Sequence, residues 1–338
     1  MIKYYQFMNH QFQKIPFKDI VRFGQRTMLG RPLFSTSWIL GRFCNYSCSY
    51  CWPYARSDKL DFQDLEVYTR TVDEIKRQAR QNGFTEFHWS FSGGEPTAYK
   101  HLLDLIKHLD EKESSYQSVH MTTNLSPGIN WWRKWAEVTC MLQRRSITAS
   151  YHAEHAREQD FSEKCLQLIY QNVYVTVNQV MVPEKFYDLY KRCERFYKLG
   201  INVTLKPQSD PTASRIVDGY TDEMIDLMQT GFPQNQHGEE LYQIALYDSN
   251  GQEYLFDQAE RFNAFGFNKF KDWHCNSGYQ SVIIRSNEVK RSYSCHDQPL
   301  GTLTEGFKLF DSATPCITNS CVSSADSKIP KTRINNVF

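Results

Sequence analysis

Three cysteines lie in one short run, Gly41-Arg42-Phe43-Cys44-Asn45-Tyr46-Ser47-Cys48-Ser49-Tyr50-Cys51. The spacing is C-x3-C-x2-C, which lets neighbouring thiolates converge on one inorganic core. A closed [4Fe–4S] cluster takes four thiolates. Three leave one iron with an open position, as suits a centre that must bind something else. A zinc site is the competing reading. Zinc would want a fourth nearby ligand, yet no histidine lies in the loop and the spacing is not a common finger spacing.

A second run is Trp89-Ser90-Phe91-Ser92-Gly93-Gly94-Glu95-Pro96-Thr97. Paired glycines let backbone approach a ligand closely, and Pro96 stops a strand. Alone, this is an ordinary Gly-Gly turn. Its distance from the cysteine loop, one strand–helix unit later, makes the pair specific. Four more cysteines, Cys275, Cys295, Cys316 and Cys321, follow near the C-terminus. They suit one fully ligated cluster or a zinc site. His274 and His296 flank two of them, so a mixed ligand set stays open. Cys140, Cys165 and Cys193 sit in helical stretches and read as core.

The elements that must position these residues follow from periodicity. Strands are expected at 36–41, 86–91, 118–122, 146–150, 174–181 and 201–206. Helices are expected at 64–81, 101–112, 130–140, 162–171, 186–199 and 222–229. Such alternation argues for α/β architecture, a parallel sheet with helices outside it, here a partial (β/α)6 TIM-like barrel. In such folds the site lies at the strand C-terminal ends. The Cys44 loop, Gly93-Gly94-Glu95 and Asn124 all fall there. Residues 1–35 form an N-terminal extension, 36–232 the barrel and 233–338 a small domain held by a metal centre. A linker is expected at 233–238.

With these motifs the chain resembles the radical S-adenosylmethionine (SAM) superfamily over roughly residues 35–210. The resemblance rests on the cysteine triplet with aromatic Tyr50 before its third member, and on Ser92-Gly93-Gly94-Glu95. It implies that Cys44, Cys48 and Cys51 ligate a [4Fe–4S] cluster with one open iron. It also implies that Gly93, Gly94 and Glu95 contact SAM, with Tyr50 near the adenine. Asn124 and Ser150 resemble further SAM-contacting positions. The usual glycine of the fifth strand is not evident in 175–184. The C-terminal region, with Trp273, Gly278 and the strand 281–285, is similar to the auxiliary-cluster domains called twitch or SPASM. Four cysteines imply the shorter twitch form with a single auxiliary [4Fe–4S] cluster. The glycine usual in the turn before the second cysteine is replaced by Asn287-Glu288.

The implied chemistry is reductive cleavage of SAM to a 5′-deoxyadenosyl radical and hydrogen abstraction. An external donor such as flavodoxin or ferredoxin would supply the electron. An auxiliary cluster favours net oxidation of a small polar metabolite, of sugar or cyclitol type. The alternative is a maturase that crosslinks or epimerises a ribosomal peptide. The 35 residues before the first strand are too few for a leader-binding module, which favours the small molecule. A non-catalytic iron–sulfur or zinc protein is the remaining reading. His152, Glu154, Lys206 and Gln208 lie near strand ends, and Lys206, His152 and Glu154 are the candidate catalytic residues. Net charge is +1, so no general pull toward nucleic acid or anionic membrane is expected. No apolar run spans a bilayer and no signal peptide is evident. A cytoplasmic location with reduced thiols is expected.

Overall fold

A computed structural model describes residues 17–52, 54–110, 117–211, 215–233, 244–256, 267–296 and 299–334. The elements in chain order are β1 (Ile20–Gln25), β2 (Leu33–Gly41), α1 (Leu65–Gln81), β3 (Glu86–Gly93), α2 (Leu102–Asp110), β4 (Gln117–Thr123), α3 (Ile129–Val138), β5 (Arg144–Tyr151), α4 (Glu158–Tyr170), β6 (Tyr174–Met181), α5 (Phe186–Lys198), β7 (Asn202–Pro207) and α6 (Asp222–Thr230). The rest is short-stranded: β8 (Ile244–Asp248), β9 (Glu253–Phe256), β10 (Trp273–Cys275), β11 (Ser281–Arg285), β12 (Glu288–Lys290), β13 (Gly301–Thr302), β14 (Gly306–Phe307), β15 (Thr314–Pro315), α7 (Ser324–Ser327) and β16 (Lys331–Arg333). The fold is mixed α/β, and no sheet closes on itself among the described residues. Two compact units divide the chain. One comprises Trp38–Thr69 and His88–His237, the other Met1–Ser37, Arg70–Phe87 and Gly238–Phe338.

In the first unit the strand order follows the sequence from β2 to β7, and β4 to β7 pair parallel. Alternate residues point to opposite faces of a strand. On one face Trp89, Phe91, Val119, Met121, Ile147, Ala149, Val175 and Val177 are buried. Trp38 packs here edge-on to Tyr68 and 5.9 Å from Phe91. Parallel strands are usually apolar on both faces. These are not. The other face carries His88, Ser90 and Ser92 on β3, then Ser118, His120 and Thr122 on β4. Ser146, Thr148 and Ser150 continue it on β5, Thr176 and Asn178 on β6, and Thr204 and Lys206 on β7. His88 Nδ1 and Ser118 Oγ meet at 2.9 Å, and His120 Nδ1 and Ser146 Oγ at 2.8 Å.

The second unit holds a six-stranded sheet ordered β15-β10-β16-β1-β8-β9. Its core joins Ile20, Phe23, Ile244, Leu246, Phe270, Trp273 and Cys321. β1, within the stretch expected to be an extension, is an inner strand between β16 and β8. The turn from β11 to β12 takes its left-handed residue at Ser286 (φ +54°), one position before Asn287. Residues 293–295, after β12, belong to no strand. Cys165 and Cys193 are buried as expected for core, but Cys140 lies exposed beyond the end of α3. Residues 111–112 of the expected second helix, and 234–238 of the expected linker, lie outside the described residues.

Candidate active site

The loop after β2 is fixed at its root by one carboxylate. Asp61 accepts from Arg42 N at 2.8 Å and Phe43 N at 3.1 Å. Cys44 N donates to Ser57 O at 3.3 Å, and Cys51 N to Cys48 O at 3.1 Å. The three thiols thus hang from a tethered loop, two half-buried and Cys51 exposed. Burial raises the Cys44 and Cys51 thiols, and with Glu154 nearby pushes Cys48 up to about 12. They become ligands only when a cation offsets that cost. Among the described residues the three sulfurs do not all lie within 4.8 Å of one another, whereas Cys48, Glu154 and His155 offer ligand atoms that do. A single zinc would hold its sulfurs about 4 Å apart. Three thiolates on one tethered loop fit a cluster that keeps one iron position open.

Gly93 and Gly94 leave room for neighbouring backbone. A Cβ on Gly93 would sit 2.2 Å from Gly41 O, and one on Gly94 2.1 Å from Phe43 O. The space that the glycines leave is filled by the cysteine loop's own backbone. Gly94 N donates to Gly41 O at 2.9 Å and Glu95 N to Phe43 O at 2.7 Å. Gly93, at φ +133°, also needs glycine for its conformation. Ser92, the last polar residue of β3, is half-buried beside them.

Glu95 is buried and surrounded by donors. Its Oε1 accepts from Thr97 N at 3.0 Å, Thr97 Oγ1 at 2.6 Å and Thr123 Oγ1 at 2.7 Å, while Oε2 accepts from Asn124 N at 2.7 Å. Burial raises its pKa and these bonds oppose the rise. The carboxyl group ties the end of β3 to the end of β4. Asn124 then reaches back to the cysteine loop, donating to Asn45 Oδ1 at 2.9 Å, with Nδ2 4.0 Å from Cys44 Sγ.

The end of β5 clamps the loop from another side. Glu154 accepts from Ser49 N at 2.8 Å and Ser49 Oγ at 2.5 Å. Burial raises its pKa, but these bonds together with the nearby Lys185 and His155 bring it below the usual value. His152 Nδ1 and Tyr50 OH share a 2.8 Å hydrogen bond. Burial and the neighbouring His155 lower the His152 pKa to about 4, so its ring is neutral. Burial pushes the Tyr50 phenol well above its usual range. His155 stacks on Tyr46 at 4.6 Å.

The structure thus brings Cys44, Cys48, Cys51, Tyr50, Gly93, Gly94, Glu95, Asn124, His152 and Glu154 into one connected network. Ser150 lies on the polar sheet face opposite Asn178, and Lys206 on the same face opposite Val180. Gln208 donates its N–H to Tyr220 OH at 2.7 Å. Asp61, Ser49, Tyr46 and His155 were not singled out by sequence. Thr97 stood inside a quoted motif without a role, and Thr123 was named only beside Asn124 as a SAM-contacting position. The polar run His152–His155 at a strand end was the available signal for His155.

The chain matches the Radical SAM superfamily over residues 38–206, half its length. It belongs to that superfamily and is a radical SAM enzyme, whose cofactors are a [4Fe–4S] cluster and SAM. Among solved structures it is similar in fold to "native anSMEcpe with bound AdoMet". The TM-score is 0.50 at 16% identity, covering 82% of this chain and 79% of that one. A hexahistidine-tagged anSMEcpe with bound AdoMet gives a TM-score of 0.51 at 14% identity, with 82% and 79% covered. No curated protein matches the sequence. No described helix is long and apolar enough to cross a membrane.

Proposed function

We propose that the enzyme oxidises a small polar metabolite of sugar or cyclitol type. Cys44, Cys48 and Cys51 would hold the cluster. Tyr50, Ser92, Gly93, Gly94, Glu95, Asn124 and Ser150 would surround SAM, within a partial (β/α)6 barrel. When bound, cluster and SAM supply a 5′-deoxyadenosyl radical that takes a hydrogen atom from the substrate. Cys275, Cys295, Cys316 and Cys321 would hold an auxiliary [4Fe–4S] cluster in a twitch-like domain, an acceptor for the electron that the substrate gives up. A flavodoxin- or ferredoxin-type donor would reduce the first cluster.

One observation carries the substrate class: the polar face of the parallel sheet. Hydroxyls, imidazoles and an amide occupy successive strands in register, with Ser150, Asn178 and Thr204 in one row. Asn178 Oδ1 is buried and has no hydrogen-bond partner among the described residues. A buried orphan acceptor costs about 1–3 kcal/mol, and a substrate hydroxyl would satisfy it. The residues on this face bind and orient. Lys206, at the C-terminal end of β7, would take the hydroxyl proton as the substrate is oxidised. His152, neutral and bonded to Tyr50, and Glu154, bonded to Ser49, would act by holding the cysteine loop in place.

The test is anaerobic. The chain is reconstituted with iron and sulfide, reduced with dithionite and given SAM with deuterated polyols. Deuterium is expected in 5′-deoxyadenosine from the wild type and not from a Cys44→Ala, Cys48→Ala, Cys51→Ala variant. Transfer from a peptide in place of any polyol would overturn the substrate class and support a peptide maturase. A loaded protein that does not bind SAM would sink the assignment of the SAM-holding residues.

A further inference from the structure

Lys331 is 1% exposed. Its Nζ donates to Asp326 O at 2.9 Å and Ile329 O at 2.8 Å. The ring centroids of Phe270 and Phe23 lie 4.4 and 5.4 Å away. An ammonium has three N–H donors, and the third has no acceptor among the described residues. No carboxylate pairs with it there either. The Asp326 carboxylate is engaged with Tyr293 N, Ser294 N and Ser294 Oγ. A lone buried charge is strongly unfavourable, and carbonyl dipoles and ring faces offset only part of the cost. A neighbouring anion would offset the rest.

The neighbours able to supply one are thiols. β16 and β10 run antiparallel with Lys331 directly opposite Cys275, and such pairs share a face with their Cβ atoms about 5 Å apart. Cys316 N donates to Trp273 O at 2.8 Å, which brings the next cysteine to the same strand. Cys321 is buried in the same core as Phe23 and Phe270, with Cys316 packed against it.

We infer that the Lys331 ammonium is the counter-charge of an anionic metal–thiolate centre at Cys275, Cys316 and Cys321. The inference rests on the auxiliary-centre reading above and adds a residue which that reading did not contain. Three or four thiolates around ferrous or zinc ions leave net negative charge, and the ammonium balances it. Lys331 is then a positioning residue that keeps the metal and raises its reduction potential, because a nearby cation favours the more negative, reduced state.

The test uses the full chain carrying Cys44→Ala, Cys48→Ala and Cys51→Ala, so that only the C-terminal centre is read. Metal content, the EPR-monitored midpoint and Tm before and after chelation are compared for Lys331, Lys331→Met, Lys331→Gln and Lys331→Arg. Both neutral variants should shift the reduced-to-oxidised ratio at least tenfold toward oxidised, 59 mV for one electron. If the metal is redox-silent zinc, they should lose it to chelator at least tenfold faster. Lys331→Arg should stay near the parent. The neutral variants should lose heat stability in the loaded form and not in the stripped form. Equal losses in both forms, or an unchanged midpoint and metal retention, would overturn the role of Lys331. If the parent holds no metal that Cys275→Ala, Cys316→Ala and Cys321→Ala together remove, the auxiliary-centre reading itself fails.

Discussion

Gly94 shows how a residue with no side chain can decide the site. Its missing Cβ makes room for Phe43 O, so the cysteine loop and the Gly-Gly-Glu segment meet backbone to backbone. Gly94→Ala should therefore destabilise the chain by about 4 kcal/mol or more, in the range reserved for forced strain. Iron content after reconstitution should fall with it. Gly128→Ala is the control, since a Cβ there meets nothing within 4 Å. Parallel iron assays and thermal melts check both. The motif was legible as residues, but not its reason. A Gly-Gly pair signals close approach without saying whether ligand or backbone approaches. Nor could Glu95's four donors be read, because Thr123 and Asn124 reach it from another strand.

At the scale of elements, the alternation of strand and helix from residue 33 to residue 230 follows the expected boundaries within a few residues. Apolar periodicity reports that directly, since each strand buries alternate residues and each helix one stripe. What the apolar signal does not report is how neighbouring helices are tied. α4 and α5 are joined at Glu158, which accepts from Arg195 Nε and NH2 at 2.5 and 2.7 Å and lies 3.4 Å from Arg192. The Arg195 bonds hold the Glu158 carboxyl below its usual pKa against the opposing effect of burial. A depressed carboxyl pKa contributes stability above the unfolded value, 4.5, and loses it as pH falls through the folded one. Glu158→Gln should lower stability at pH 7 by about 1 kcal/mol or less, since the pair is partly exposed. The Tm gap to wild type should close as pH drops below 4.5, and a constant gap across pH would show that the carboxylate charge is not what matters.

Across the whole molecule, the second unit was the less legible. Its strands run to six residues or fewer, and the six-stranded sheet takes them from both ends of the chain. Local pattern cannot show that Ile20–Gln25 is an inner strand, because its partners are hundreds of residues away. Phe23, at 0% exposure in the core of that unit, tests the placement. Phe23→Ala should cost about 3–5 kcal/mol, the usual loss for a buried phenylalanine. Hydrogen exchange should speed up at 244–248, 273–275 and 331–333 together. Exchange faster at 20–25 alone would show that β1 is an appendage.

That inner strand also imposes an order in time. Arg22 pairs with Thr332, so while a ribosome is still adding residues, β1 has emerged and its partner does not yet exist. The edge of β1 facing β8 waits unpaired until residues 244–248 have emerged, and the edge facing β16 until residues 331–333 have, a recognised route to aggregation. The strands β2 to β7 can assemble in the meantime, each beside the one made before it. The second unit is completed only when residues 331–333 leave the exit tunnel. Cys275, Cys316 and Cys321 consequently reach their final neighbours last, after the Cys44 loop has had the strands that support it.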